Sequence, residues 1–284
     1  MRQVILIHAH RDLGQLNALV AQLLDDDFLI FVNVDAKSAI DVKALHSAAR
    51  LVHPRIDIHW GQFSQVEATL HSMRQVVAEA GEFDKLLFIS AQDAPLLPNG
   101  RLKHELAALA GSELLDCVPA GPGGWDCAGR YQYFHNGGAL TALAFRVLNR
   151  AMRVCKVQRA MVNGWQPWAG SSWWALSRGC VESIVAQVAA DPALLRFFRK
   201  VDCPDEMFFQ TLVMNSPFRQ RVLPNNFRHI QWTAGSTRSP KVLDAADFDR
   251  IAAAPAHFCR KLEPHASAAL LPLLASLRAS REVP

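Results

Sequence analysis

Along this chain, short apolar runs alternate with stretches in which apolar residues recur at helical spacing. Val4 to Ala9 is an apolar run, the pattern of a strand buried on both faces. Leu13, Leu16, Leu19, Val20, Leu23 and Leu24 follow on one helical face. A second strand run, Phe28 to Val34, ends at Asp35, and Arg55 to Trp60 predicts another strand. A helix then starts near Ser64: Ser64 and Glu67 have the S-x-x-E spacing of a capping box, and Val66, Leu70, Met73 and Val77 share a face. Lys85 to Ser90 reads as a buried strand that stops at AQDAPLLPN.

Strands alternating with helices at this spacing predict a parallel sheet with crossover connections, an α/β class. Residues 1–110 form a Rossmann-like half, of a usual size for such units. From about Gly121 to Ser172 the pattern loses regularity, and its Gly, Trp and Tyr content predicts loops with aromatic platforms. Val181, Ile184, Val185 and Val188 then mark a helix. No repeat or low-complexity linker interrupts the chain, so the expectation is one domain over 1–284, with 111–284 as an elaborated second half.

Composition narrows the function classes. With 284 residues, 50% of them hydrophobic, the chain can bury a full core. A formal charge of +4 is too mild to imply nucleic-acid binding. The start, MRQVILIHAH, lacks a signal-peptide layout, and no apolar stretch approaches the ~18 residues a membrane helix needs, so a cytoplasmic location is expected, with membrane association at most peripheral. The six cysteines are scattered without a C-x-x-C pair, which reads as buried reduced thiols. Oligomeric state leaves no mark in the sequence.

In open α/β sheets ligands bind beyond the carboxyl ends of strands, where His10, Asp35, Gln92 and Asp93 fall. Each is a candidate contact for a ribose or base, and each acid is equally a candidate cap or turn residue. No G-x-G-x-x-G follows the first strand and no Walker loop is present. Asp25, Asp26 and Asp27 match an Asp-x-Asp string, but they lie in a helix-to-strand turn, whereas only Asp93 follows the Lys85–Ser90 strand. The expectation is therefore no metal and no cofactor. A diphosphate would then need fixed cations, for which Arg238, Arg260 and Lys261 are candidates, an ordinary charged surface being the alternative for each. Further on, PDEMFFQTLVMNSPF places Asp205 and Glu206 at the head of an apolar helical run, where a carboxylate is either a helix cap or a catalytic base.

In order, ILIHAHRDLGQL, FVNVDAKS, WGQFSQVEATL, LLFISAQDAPL, GSSWWALSR, PDEMFFQTLVMNSPF, SPKVLDAADF and HFCRKLE resemble the core-2/I-branching β-1,6-N-acetylglucosaminyltransferase family, which also includes the protein O-xylosyltransferases. The resemblance covers nearly the whole length. It implies a GT-A glycosyltransferase fold, a UDP-sugar donor, a glycan or glycolipid acceptor, and inverting transfer without a metal. It also implies that Glu206 is the base and that Arg238 and Lys261 hold the diphosphate. His10 and Asp35 match the uridine end, and Gln92 and Asp93 lie where ribose and donor sugar pass.

One departure sharpens the subtype. Xylosyltransferases carry an Asp before the Trp of the Gly-Ser segment, whereas this chain reads Gly170, Ser171, Ser172, Trp173, which leaves Glu206 as the base and N-acetylglucosamine as the expected sugar. The membrane anchor and lumenal disulfides of the animal branching enzymes have no counterpart, as in a bacterial relative serving a polysaccharide or lipid-linked precursor. For the acceptor, Asp205, Trp173, Arg130 and Tyr131 are the candidates, with Trp165, Trp168, Trp174 and Tyr133 as further aromatic faces that serve equally well as core. The alternatives are another UDP sugar (xylose, glucose or galactose) on the same scaffold, or a carbohydrate-binding relative without turnover.

Overall fold

The computed structural model describes residues 2–136, 139–233 and 239–281. Its strands in chain order are β1 (Gln3–Ala9), β2 (Phe28–Val34), β3 (Ala49–Leu51), β4 (Lys85–Ser90), β5 (Ala94–Pro95) and β6 (Glu113–Leu115). They continue as β7 (Val118–Pro119), β8 (Trp168–Ala169), β9 (Trp174–Ser177), β10 (Val222–Leu223), β11 (Arg228–Ile230) and β12 (Phe258–Arg260). The helices are α1 (Leu13–Gln22), α2 (Ser64–Glu79), α3 (Asn99–Ala108), α4 (Gly129–Gln132) and α5 (Ala139–Val154). After them come α6 (Arg178–Ala190), α7 (Pro192–Phe198), α8 (Phe208–Met214), α9 (Phe248–Ala253) and α10 (Leu270–Ser280).

Seven strands form the central sheet in the order β10-β6-β9-β4-β1-β2-β3. Strands β3, β2, β1 and β4 run parallel, while β9 lies antiparallel to both β4 and β6. This mixed, mainly parallel sheet between helices is the α/β, GT-A type of architecture expected from the resemblance. Strand β1 explains the unbroken apolar runs. Val4 and Leu6 face a core shared with Leu70 and Met73 of α2 and Val181 and Ile184 of α6. Ile5 and Ile7 face the opposite core with Leu16 and Leu19 of α1 and Leu102 and Leu106 of α3. With apolar layers on both sides, the central residues Val4 to Ile7 are all apolar, and polar side chains occur only towards the ends, at Gln3 and His8.

A second sheet, β11-β12-β5, is small but places the site. It packs under α9 and α10 through Leu96, Cys259, Leu262, Ile251, Leu270 and Leu274. The C-terminal leucines thus form an ordinary packed helix, with Leu271 and Leu273 left on its outer side.

Three sequence expectations change. Arg55 to Trp60 is not a strand: β3 ends at Leu51, and the chain then passes a proline that offers no N–H. The Arg55 guanidinium instead donates to the carbonyls of Val34, Asp35, Ala36 and Ser38, which clamps the loop after β2. The Ser64–Glu67 capping box does not form. Phe63 is the cap residue of α2, the Ser64 hydroxyl accepts from the His59 N–H at 2.8 Å, and Glu67 faces Arg199 at 3.6 Å. Finally, the region expected to be loops contains α5, a helix of 16 residues. Its apolar and polar residues do alternate at helical spacing, but the Gly- and Trp-rich segments on either side gave the region a loop-like composition.

All six cysteines are free; Cys117, Cys127, Cys180 and Cys259 are buried, Cys203 is half-buried, and Cys155 is exposed against expectation. Among the described residues, no helix is long and apolar enough to cross a membrane.

Candidate functional site

The parallel strands end flush. His8 of β1 is in register with Asn33 of β2 and Ser90 of β4, so the residues that follow emerge side by side at the carboxyl edge. They open into a cleft of about 1150 Å³, lined among others by His10, Asp35, Gln92, Arg130, Trp173, Asp205, Glu206 and Lys261. The topology therefore gathers most of the residues singled out along 250 positions of chain into one place.

Just beyond β2, Asp35 is nearly fully buried, and its Oδ1 accepts from the backbone N–H of Lys37 (3.1 Å) and Ile58 (3.3 Å). His10 stands at the mouth. Partial desolvation, with Arg11 and Lys261 nearby, holds its imidazole below the ordinary value, so it serves as a neutral hydrogen-bonding group. His8, which sequence reasoning did not single out, also lines the cleft. Burial pulls it down to about 3, and its Nε2 lies 3.1 Å from Asn33 Nδ2. Gln92 ties the two halves together: its Nε2 donates to the Leu262 carbonyl at 3.3 Å, and its own carbonyl accepts from the Leu262 N–H at 2.9 Å.

Asp93 does not line the cleft. Its carboxylate is completely buried beneath Arg228 Nη1 at 2.5 Å and Arg260 Nη1 at 3.6 Å. The small sheet makes this contact, because β12 pairs antiparallel with β5, next to Asp93, and parallel with β11, which carries Arg228. The expected contact to a donor sugar is thus corrected to an anchor for two arginines. One carboxylate between two guanidinium groups leaves a surplus positive charge. Arg228 Nε and Arg260 Nε and Nη1 are buried without a hydrogen-bond partner. Burial, only partly offset by Asp93, pulls Arg260 down to about 10, which leaves it cationic at neutral pH. Unpaired buried donors and a net positive charge together suit an anion. Beside it, Lys261 Nζ lies 3.4 Å from Glu263, which Arg11 also contacts. Arg238 lies outside the described residues.

Trp173 joins this cationic end to the carboxylates. Its ring lies 4.2 Å from the Arg260 guanidinium and 5.4 Å from that of Arg228. The preceding Ser172 donates its hydroxyl to Asp205 Oδ2 at 2.7 Å. The segment is fixed at both ends of that link. Gln210 of α8 donates to the Ser171 carbonyl at 2.6 Å, and the Gly170 N–H donates to the Glu206 carbonyl at 2.9 Å. Position 170 admits only glycine, because a Cβ there would sit 1.9 Å from the Asp116 carbonyl oxygen.

The acids at 205 and 206 do not cap a helix. They occupy a short 3₁₀ turn, Pro204–Glu206, and α8 begins after it with no side-chain cap. Glu206 Oε2 instead accepts from Arg130 Nη1 at 2.5 Å, and Arg130 rests on the Trp125 ring at 4.6 Å. Arg130 thereby orients Glu206, and its charge is already engaged. Tyr131, one helical step on, packs against the larger hydrophobic core and does not line the cleft, which corrects its expected acceptor role. Trp174 is also core, and Trp165 and Trp168 pack on it, while Tyr133 lies under Arg153 at 4.4 Å. The cleft's further aromatic faces are Trp60, Trp125 and Trp232, which no spacing in the sequence distinguishes from core residues. The Cys203 thiol also lines the cleft, but burial pushes it up to about 12, so it is not a nucleophile.

Asp205 accepts from Ser172 and from Gln65 Nε2 at 3.2 Å through Oδ2, while its Oδ1 is buried without a partner. Burial, reinforced by the neighbouring Glu206 charge, pushes its carboxyl from 3.8 up to about 6. The folded protein therefore holds this proton more tightly than the unfolded chain. The associated stability is present below about pH 4 and lost as pH rises through about 6. Asp205→Asn is expected to match the wild type in melting temperature near pH 4 and to exceed it at pH 7.5, by a free-energy difference of about 2 kcal/mol. Thermal unfolding across this range checks it; parallel curves would contradict the raised carboxyl.

Among the described residues no group of three or more His, Cys, Asp or Glu side chains is arranged to hold a metal ion. Asp25 and Asp27, the Asp-x-Asp candidates, are both bound by Lys103, at 2.8 and 3.0 Å.

Comparisons with known proteins place the chain in a family. A model of the Core-2/I-Branching enzyme family matches residues 6–252. Xylosyltransferase 2 of Rattus norvegicus is 23% identical over 245 residues, covering 81% of this chain and 26% of the relative. Xylosyltransferase 1 of Homo sapiens is 23% identical over 291 residues, covering 92% and 28%. The chain thus spans about a quarter of the length of the curated relatives it matches. Among solved structures, the apo WbbM bifunctional glycosyltransferase aligns over 98% of this chain and 49% of its own, with 14% identity and a TM-score of 0.41, too remote to bear on the site. With residues 6–252, well over half of the chain, matched, the chain belongs to the Core-2/I-Branching enzyme family, a family of glycosyltransferases.

Proposed function

We propose that this cleft transfers N-acetylglucosamine from its UDP donor to a sugar hydroxyl of a glycan or glycolipid, with inversion and without a metal. One observation carries the reading: an anion site with surplus charge and an oriented carboxylate share one cleft, linked through Ser172 and Trp173. Asp35 and His10 receive the nucleoside. Arg260 and Lys261 face the diphosphate, with Arg228 behind them, and stabilise the charge that grows on it as the glycosidic bond breaks. Glu206, held by Arg130, takes the proton of the acceptor hydroxyl as that oxygen attacks the anomeric carbon from the opposite face. The fixed cations take the part a divalent ion plays in other sites, and the exposed faces of Trp60 and Trp232 suit the apolar faces of acceptor sugars.

A xylose donor is the second reading, favoured by the names of the matched xylosyltransferases. A melting-temperature screen of UDP-N-acetylglucosamine, UDP-xylose, UDP-glucose and UDP-galactose, in excess EDTA, separates them. A donor at about a hundred times its Kd is expected to raise Tm by about 5–10 °C. UDP-N-acetylglucosamine is expected to give the largest rise, with inorganic diphosphate giving a smaller one. A greater rise with UDP-xylose transfers the reading to xylose. Binding that requires restored divalent ion would refute the metal-free mechanism, and binding without turnover on a broad acceptor pool would make the protein a carbohydrate-binding relative.

A further inference from the structure

Helix α5 lies outside the cleft, and its surface divides into three sectors at 100° per residue. Phe145, Asn149 and Met152 share the sector that fastens it to the body. Asn149 is buried, its Oδ1 accepting from the Phe134 N–H at 2.9 Å and its Nδ2 donating to the Phe134 carbonyl at 2.8 Å. Phe145 stacks on Phe134 with ring centroids 5.4 Å apart. The second sector is apolar and faces outward: Leu143 is 58% exposed, Val147 66%, Leu148 43% and Val154 76%. The third carries Arg146, Arg150 and Arg153, all exposed. Beyond the helix, Lys156 is exposed and Val157 is 55% exposed, which continues both stripes.

A contiguous exposed apolar stripe on a helix already anchored by its opposite side calls for an occupant. Charge decides which one. The sequence contains no Asp or Glu between Asp126 and Glu182, so neither α5 nor its flanking segments hold an acid to answer the arginine row. In a two-fold pairing with a second copy, α5 would meet α5, and like charges would crowd the rim of the contact. An anionic bilayer satisfies both stripes at once. Leu143, Val147 and Val154 enter the acyl boundary, while the arginines reach lipid phosphates along their apolar stems. We propose that α5 is an interfacial helix that docks this protein onto membranes containing anionic lipid. Docking through α5 holds Phe134, and with it the short segment carrying Arg130, one helix diameter (~10 Å) from the lipid surface, where a lipid-linked acceptor would meet the cleft.

Co-sedimentation with vesicles tests this without any sugar nucleotide, so its outcome is independent of the donor assigned to the cleft. The protein is expected to pellet with phosphatidylcholine vesicles containing about 30% phosphatidylglycerol, and about tenfold or more less with phosphatidylcholine alone. Raising salt from about 0.05 M to about 0.5 M is expected to release it. The double substitution Arg146→Ala and Arg150→Ala is expected to weaken partition about thirtyfold, and Val147→Asp to abolish it. Both alter exposed side chains, so far-UV spectra and Tm are expected to stay at wild-type values. Wild-type protein that stays in the supernatant with anionic vesicles would overturn the proposal. So would partition unaffected by either variant, or a concentration-dependent dimer in sedimentation velocity that Val147→Asp dissolves without vesicles present.

Discussion

Glu206→Gln is expected to lower kcat by about 10²–10⁴-fold, with UDP-sugar affinity held within about threefold. Glutamine fills the same volume and still accepts from Arg130, whose guanidinium also remains stacked on Trp125, so the turn from Pro204 to Glu206 keeps its shape. What is lost is the capacity to take a proton, together with the negative charge that faces Arg130 and Asp205. The cations proposed to face the donor, Arg260 and Lys261, lie elsewhere in the cleft, on and just after β12, which is why binding and turnover are expected to separate. Kinetics with saturating donor, alongside calorimetric titration of UDP, check this. Asp205→Asn supplies the internal comparison, since that carboxyl is raised to about 6 and is bonded by Ser172 and Gln65. If Asp205→Asn loses more turnover than Glu206→Gln, the base is Asp205, acting through the Ser172 hydroxyl that it holds. Retention of kcat within about tenfold in Glu206→Gln would remove Glu206 from the chemistry.

Asp93→Ala is expected to destabilise the protein by about 3–5 kcal/mol, lowering Tm by about 10 °C or more. The substitution removes the one carboxylate that, among the described residues, contacts both guanidinium groups, those of Arg228 and Arg260, whose side chains are 3% and 10% exposed. It also leaves the Ser90 N–H, which donates to Asp93 Oδ2 at 3.0 Å, without its acceptor. Two like charges would then repel in a poorly solvated site and unseat the junction of β5, β11 and β12. Adding Arg228→Met should recover more than half of the loss, because the remaining Arg260 reaches the cleft. Added UDP should also stabilise Asp93→Ala more than wild type, since a diphosphate supplies the missing negative charge. An unchanged Tm with weakened UDP binding would return Asp93 to the role of direct donor contact.

Much of the fold was readable from pattern because its strands are buried on both faces. Phe28–Val34 and Lys85–Ser90 appear in the structure with the bounds their apolar runs set. Arg55 to Trp60 misled because extended backbone beyond a proline carries a strand-like composition, while its hydrogen bonds go to a neighbouring loop and not to a ladder. Helix α5 was missed because the Gly, Trp and Tyr residues around it read as loop, although its own apolar and polar residues segregate at helical spacing. Within the site, His10, Asp35, Gln92, Trp173, Asp205, Glu206, Arg130 and Lys261 reach the cleft, whereas Asp93 and Tyr131 turn away from it. Arg228, His8, Trp60, Trp125 and Trp232 had no signal of their own, since a lone Arg or Trp has the same local sequence in a site as in a core.

The sequence by itself determined the layered α/β architecture, the family, and the segments from which the site is drawn, because hydrophobic period and ordered motifs are local properties of the chain. Tertiary structure alone decided what each polar group does. Whether Glu206 caps a helix or faces a cleft, and whether Asp93 meets a ligand or holds two arginines, depends on partners up to 167 positions away, as with Asp93 and Arg260. Burial and proximity set charge and reactivity, and neither exists until the sheet has brought those segments together.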